Sequence, residues 1–231
     1  DILNSSNMSW KNEKNIIWLD YDGGIKGDQI QDVESCIGKV ESGSVIFVSF
    51  NSDLGDKFKK ASPKEKLDIY CDRIDNEILV KLLSPRDMAK EKIYQTTNKM
   101  FNMVVKNKIL ERNSTIKNEN EELISQQLVY FKYNDSKATM LTLGWIVYKK
   151  EDTEKFEKCG FKDFEFYNST NIPYDITVPN FTYKELAILN QNMPNVVYPI
   201  EEADFLEEEE VNAYKKIYKY YFNNHLIVTF R

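Results

Sequence analysis

The chain has 231 residues, 42% of them hydrophobic and 13% aromatic, which supplies a sizeable core and excludes a disordered polypeptide despite 29% charged residues. The formal net charge of −6 does not favour sequence-independent binding to nucleic acid, and no apolar run approaches the ~18 residues of a membrane span. Cys36, Cys71 and Cys159 are too scattered for a disulfide framework or a zinc site, and Asp1-Ile2-Leu3-Asn4 lacks the character of a signal peptide, so a reducing, cytoplasmic setting is expected.

Residues 1–15 are a polar lead-in. Ile16-Ile17-Trp18-Leu19 is an apolar run without alternation, predicting a strand buried on both faces that stops at Asp20, Asp22 and two glycines. Ile30, Val33, Ile37 and Val40 recur at helical spacing, and Ser44 to Phe50 reads as a second buried strand. A strand, helix, strand unit of this kind is parallel, with ligands collecting beyond the carboxyl ends of its strands, which puts Asp20/Asp22 and Asn51/Asp53 on one rim. Ser62-Pro63-Lys64-Glu65 has the form of a helix start, followed by an apolar face through Leu67, Tyr70, Cys71, Ile74, Ile78 and Leu82. Ser84-Pro85-Arg86-Asp87 repeats the signal and opens a second helix towards Leu110, so a helical hairpin is expected over about 62–111.

Gln127 to Tyr133 and Ala138 to Tyr148 are candidate strands joined by Asn134-Asp135-Ser136-Lys137, an antiparallel hairpin. A short helix follows over Glu151 to Gly160, then an aromatic strand or ordered loop around Phe161, Phe164, Phe166 and Tyr167. Prolines at 173, 179, 194 and 199 punctuate a C-terminal extension. In it Thr182-Tyr183-Lys184-Glu185 caps a short helix, and Glu207 to Glu210 begin a last helix with Val211, Tyr214, Ile217, Tyr218 and Tyr221 on one face, a stripe expected to pack as core. The lone His225 has no partner by spacing.

At Ile16 to Gly23, at Gly43 to Asn51, at Phe131 to Asp135 with Met140 to Gly144, and at Val178 to Glu185 with Tyr214 to Tyr221, the chain resembles a family of bacterial S-adenosylmethionine-dependent O-methyltransferases. The resemblance implies a Rossmann-like α/β sheet in which the strand at 16 is the fourth, the strand at 44 the fifth and the hairpin the last two. It divides the chain into a methyltransferase-like domain over 1–170, with the helical insertion, and an extension over 171–231. It also implies S-adenosylmethionine as cofactor. No Gly-x-Gly-x-Gly precedes Trp18, so the cofactor-binding half is expected outside these residues, in an upstream segment or a protein partner that completes the sheet.

The resemblance further implies that Asp20 and Asp22 are catalytic, orienting or deprotonating a methyl acceptor, with Tyr21 and Asn51 binding it. The plainer reading is that the two acids end a strand and cap the next helix. Some methyltransferases hold a divalent metal at the places of Asp20 and Asn51, but Phe50 stands where the second carboxylate belongs, and one carboxylate with one amide is a poor hard-cation site, so no metal is expected. Asp20-Tyr21-Asp22-Gly23 is also similar to the acidic motif of methyltransferases acting on nucleic-acid bases, but lacks its two prolines. The rival from another class is an inactive interaction module whose exposed strand edge at 16–21 pairs with another chain.

Overall fold

The computed structural model describes residues 10, 13–75, 81–89, 92–135, 138–200 and 205–220. Ile78, Ser136, Lys137, Tyr221 and His225 lie outside the described residues. The chain is mixed α/β, and it divides into two compact units, 1–175 and 176–231.

The first unit is built on β1 (Ile16–Gly24), β2 (Ser44–Asn51), β3 (Leu123–Asp135) and β4 (Ala138–Lys149), with the short β5 (Tyr174–Ile176) running to the division between the units. The sheet order is β1-β2-β4-β3-β5. β1 and β2 are parallel, joined by α1 (Gly27–Lys39), whereas β4 runs antiparallel to both β2 and β3. The expected parallel unit and antiparallel hairpin are therefore both present, and the later strand of the hairpin is the one inserted beside β2.

One face of the sheet carries Ile17 and Leu19, then Ile46, Val48 and Phe50, then Leu141, Leu143, Trp145 and Val147, and packs with α1, α3 (Pro63–Ile74) and α4 (Lys92–Asn113) into the main core. Phe101 of α4 stacks on Phe50 with ring centroids 5.5 Å apart. The opposite face is covered towards β3 by α5 (Thr153–Lys158) and the ordered aromatic loop after it, where Phe156 stacks on Tyr148 at 4.7 Å.

β1 departs from expectation. It is an edge strand among the described residues, and its apolar run alternates after all: Ile17 is buried, while Ile16 and Trp18 are 82% and 65% exposed. The strand also continues through Asp20 and Asp22 to Gly24. The face of β1 away from α1 is open, so every second side chain meets solvent and charge can sit inside the strand instead of marking its end.

The hairpin at 62–111 also differs in detail. Ser62 caps α3 as predicted, with its side chain accepting from the Glu65 amide and the Glu65 side chain returning to the Ser62 N–H. However, α3 ends at Ile74, where Asp75 takes a left-handed φ of 45°, so Leu82 is not on that helix. Ser84-Pro85 opens only a 3-10 turn, Pro85–Met88, before α4 begins at Lys92. α2 (Gly55–Lys60) is a single short helix between β2 and α3.

The second unit has a core of its own. α6 (Tyr183–Asn192), capped by Thr182 and Glu185, and α7 (Glu208–Ile217) bury Leu189, Val211 and Tyr214 together with Val196, Ile200 and Leu206. Tyr214 and Val211 thus pack as the apolar stripe predicts, and the Tyr214 hydroxyl donates to Asn190 Oδ1 at 2.7 Å. Among the described residues no helix is long and apolar enough to cross a membrane.

Candidate active site

The parallel strands β1 and β2 set the geometry of the rim. Gly24 pairs with Asn51 at its end, and Asp20 lies opposite Ser49, inside the rim, with a register irregularity between the two pairs. Asp20 and Asp22 are both exposed, and among the described residues neither has a hydrogen-bond or ion-pair partner. Asp20 follows Trp18 on the open face of the sheet. There the Trp18 Nε1 donates to Ser49 Oγ at 2.8 Å, and Ser49 and Thr142 share a 2.7 Å hydrogen bond beneath it. This three-strand chain of donors fixes the indole beside Phe47, at 6.4 Å between ring centroids, and gives Asp20 a stiff neighbour.

Tyr21 is not brought to the same place. It sits on the helix side of β1 and donates to Asp32 Oδ2 of α1 at 2.5 Å. Burial, reinforced by the Asp32 carboxylate, raises its hydroxyl well above the ordinary tyrosine range. The neighbouring Cys36 thiol, wholly buried, is pushed up to about 12 by burial and by Asp32. Tyr21 is therefore a bolt between β1 and α1.

Asn51 is at the rim, but its Oδ1 accepts from the Asp53 N–H at 2.7 Å, an Asx-type turn that bends the chain out of β2. Asp53 in turn accepts from the Gly55 N–H at 2.8 Å and from Lys59 Nζ at 2.6 Å. The Lys59 ammonium, then the Gly55 amide, hold the Asp53 carboxyl below the usual carboxylate range.

The residue that sequence reasoning missed is Arg73, in the last turn of α3. Its Nη2 donates to the Leu54 carbonyl at 3.0 Å, and its Nη1 lies 3.0 Å from where a Cβ on Gly24 would stand. A side chain at position 24 would press on the end of the Arg73 side chain, which would have to shift slightly. Gly27 is likewise confined, since a Cβ there would come 2.6 Å from the Ile74 carbonyl oxygen. No spacing in the sequence links Arg73 to β1, because nearly fifty residues separate them.

The cofactor implied by the resemblance needs an apolar slot for its adenine and hydrogen-bond partners for its ribose. Around the turn after β1 the groups nearest Gly24 and Gly27 are the Arg73 guanidinium and the carbonyls of Asn51, Asp53 and Ile74, polar neighbours and not an apolar slot. The described rim residues by themselves thus do not fit the adenosyl group. What they present is two exposed carboxylates without partners among the described residues, and a guanidinium near Gly24. Among the described residues no three His, Cys, Asp or Glu side chains gather where they could hold a metal ion.

No curated protein matches the chain. Over residues 2–226 it matches the family described as "Putative O-methyltransferase". That span takes in both compact units, so it lends no support to placing the cofactor-binding part outside these residues. The parallel β1–β2 pair with an antiparallel hairpin closing the sheet is the Rossmann-like α/β architecture that the resemblance implies, and the chain belongs to this O-methyltransferase family.

Proposed function

We propose that the protein transfers a methyl group from S-adenosylmethionine to a hydroxyl oxygen of its acceptor, with Asp20 as the group that orients the hydroxyl and takes its proton, and Asp22 assisting. Membership of the O-methyltransferase family supports the reaction class. The observation that carries the residue assignment is the placement of Asp20 and Asp22 on the exposed side of edge strand β1, free of internal partners among the described residues. A carboxylate already committed to a lysine or to a helix cap has little left for a substrate; these two are available.

The chemistry asked of Asp20 is modest. A hydroxyl held at hydrogen-bond distance from the carboxylate is aimed by it, and its proton passes to the carboxylate as the oxygen gains its methyl group. Trp18, pinned by Ser49, limits the directions from which an acceptor approaches. Asn51 has one amide edge occupied by the Asp53 N–H and contributes its Nδ2 donors to the acceptor.

The test is methyl transfer from radiolabelled S-adenosylmethionine to a panel of small phenols and aliphatic alcohols. We expect at least one to be methylated, and Asp20→Asn to lower kcat by about 10²-fold or more, the usual contribution of a positioned general base, with the circular-dichroism spectrum unchanged. Full turnover by Asp20→Asn would remove Asp20 from the mechanism and return it to the plainer role of a solvated strand residue.

A further inference from the structure

The Arg73 guanidinium donates to the Leu54 carbonyl and lies beside Gly24. A guanidinium carries five N–H donors in a rigid fork, and among the described residues only one is spent, on Leu54. Asp53 lies within its field but is not its hydrogen-bond partner: one Asp53 oxygen accepts from Gly55 and the other from Lys59. A clamp tying α3 to the loop after β2 would need one N–H and no bare glycine beneath the guanidinium. Gly24 lies two residues beyond Asp22, at most about 7 Å along the irregular end of β1, within the span of a small molecule with a hydroxyl at one end and an anion at the other.

We infer that Arg73 is an oxyanion anchor, and that the methyl acceptor carries a carboxylate or phosphate group held by its guanidinium while the hydroxyl faces Asp20 and Asp22. The anchoring is independent of the chemistry; the link to the acceptor rests on the function proposed above. Both oxyanions suit the fork, since guanidinium matches either in bidentate geometry. The fork is also fixed before binding, so little side-chain freedom is lost on capture.

The experiment is an NMR titration of the whole protein with inorganic phosphate and, separately, with acetate, following the Gly24 amide and the Arg73 Nε–H, with no methyl donor present. Saturable shifts at both groups are expected, and the stronger of the two anions indicates which source the acceptor group resembles. In Arg73→Gln the dissociation constant should rise about tenfold or more, the loss expected for a charge-assisted hydrogen bond; Arg73→Lys should be weakened too, and Lys26→Gln, beside the site, should bind as the wild type does. Linear, non-saturating shifts, or the same constant in Arg73→Gln, would overturn the inference and leave Arg73 a clamp. Should Arg73→Gln fail to fold, the wild-type Nε–H titration and Arg73→Lys decide. Because no turnover is measured, saturable binding alongside full activity of Asp20→Asn would sink only the catalytic assignment.

Discussion

At the scale of single residues, the hydroxyls under the helices are worth separating by where their protons go. Thr97 Oγ1 donates to the Ile93 carbonyl at 2.9 Å, so its proton is spent and Tyr70 must be the donor in the 2.6 Å Tyr70–Thr97 pair. Tyr130, also wholly buried, has no partner for its hydroxyl among the described residues. A buried, unpaired hydroxyl costs about 1–3 kcal/mol, whereas a satisfied one contributes about 1 kcal/mol. Tyr130→Phe should therefore leave stability unchanged or raise it by about 1 kcal/mol, and Tyr70→Phe should lower it by a similar amount, both read from urea midpoints at constant slope. A clear loss of stability in Tyr130→Phe would mean that its hydroxyl is satisfied in solution.

At the scale of elements, α4 is joined to the sheet by amides as well as by apolar packing. Asn102 accepts from Trp145 Nε1 at 2.7 Å and donates to Gln127 Oε1 at 2.6 Å and to Asn98 Oδ1 at 2.9 Å. Gln127 and Asn98 pass the chain on to the backbone at Asn168 and Thr170, fixing the loop that leads to β5. Asn102→Ala strands a buried indole N–H and a buried amide oxygen at once, and should cost about 3 kcal/mol; a loss under about 0.5 kcal/mol would show that the network relaxes around the gap. None of this was legible beforehand, because Asn and Gln on a helix read as solvent-facing until the strand opposite is known. The caps were legible, since Ser62/Glu65 and Thr182/Glu185 act within four residues. So were α1 and the hairpin, whose periodicities are local. The exposure of β1 was not: Ile16-Ile17-Trp18-Leu19 has the composition of a central strand, and only the packing reveals that one face of it is open. Hence Asp20 and Asp22, which read as the charged end of an apolar run, stand inside β1, and Tyr21, adjacent to both in sequence, is turned by the pleat to the other face.

At the scale of the whole first unit, the order β1-β2-β4-β3 mixes very local and very distant pairing. β3 and β4 are adjacent in the chain, and Val129, Ile146 and Tyr148 pack with Phe156 in a cluster largely drawn from that one stretch. β2 reaches β4 only across the long excursion through α2, α3 and α4, with Ser49 opposite Thr142. Closing that loop costs entropy before any β2–β4 contact repays it, so the hairpin is expected to form first and the parallel β1–β2 pair to dock onto it late. The order predicts how two destabilising substitutions divide between rates. Val129→Ala, inside the hairpin cluster, should slow refolding, with a φ-value of about 0.5 or higher, whereas Ile17→Ala on edge strand β1 should mainly speed unfolding, with a φ-value near zero. Stopped-flow chevrons of the two variants measure this directly, and the reverse assignment would place the nucleus on the parallel pair. The expected order also bears on the site: the last strand to dock is the one carrying Asp20 and Asp22, and its outer edge is the least buttressed part of the sheet. Trp18, tied through Ser49 to Thr142, links that edge to β4, the strand expected to form early.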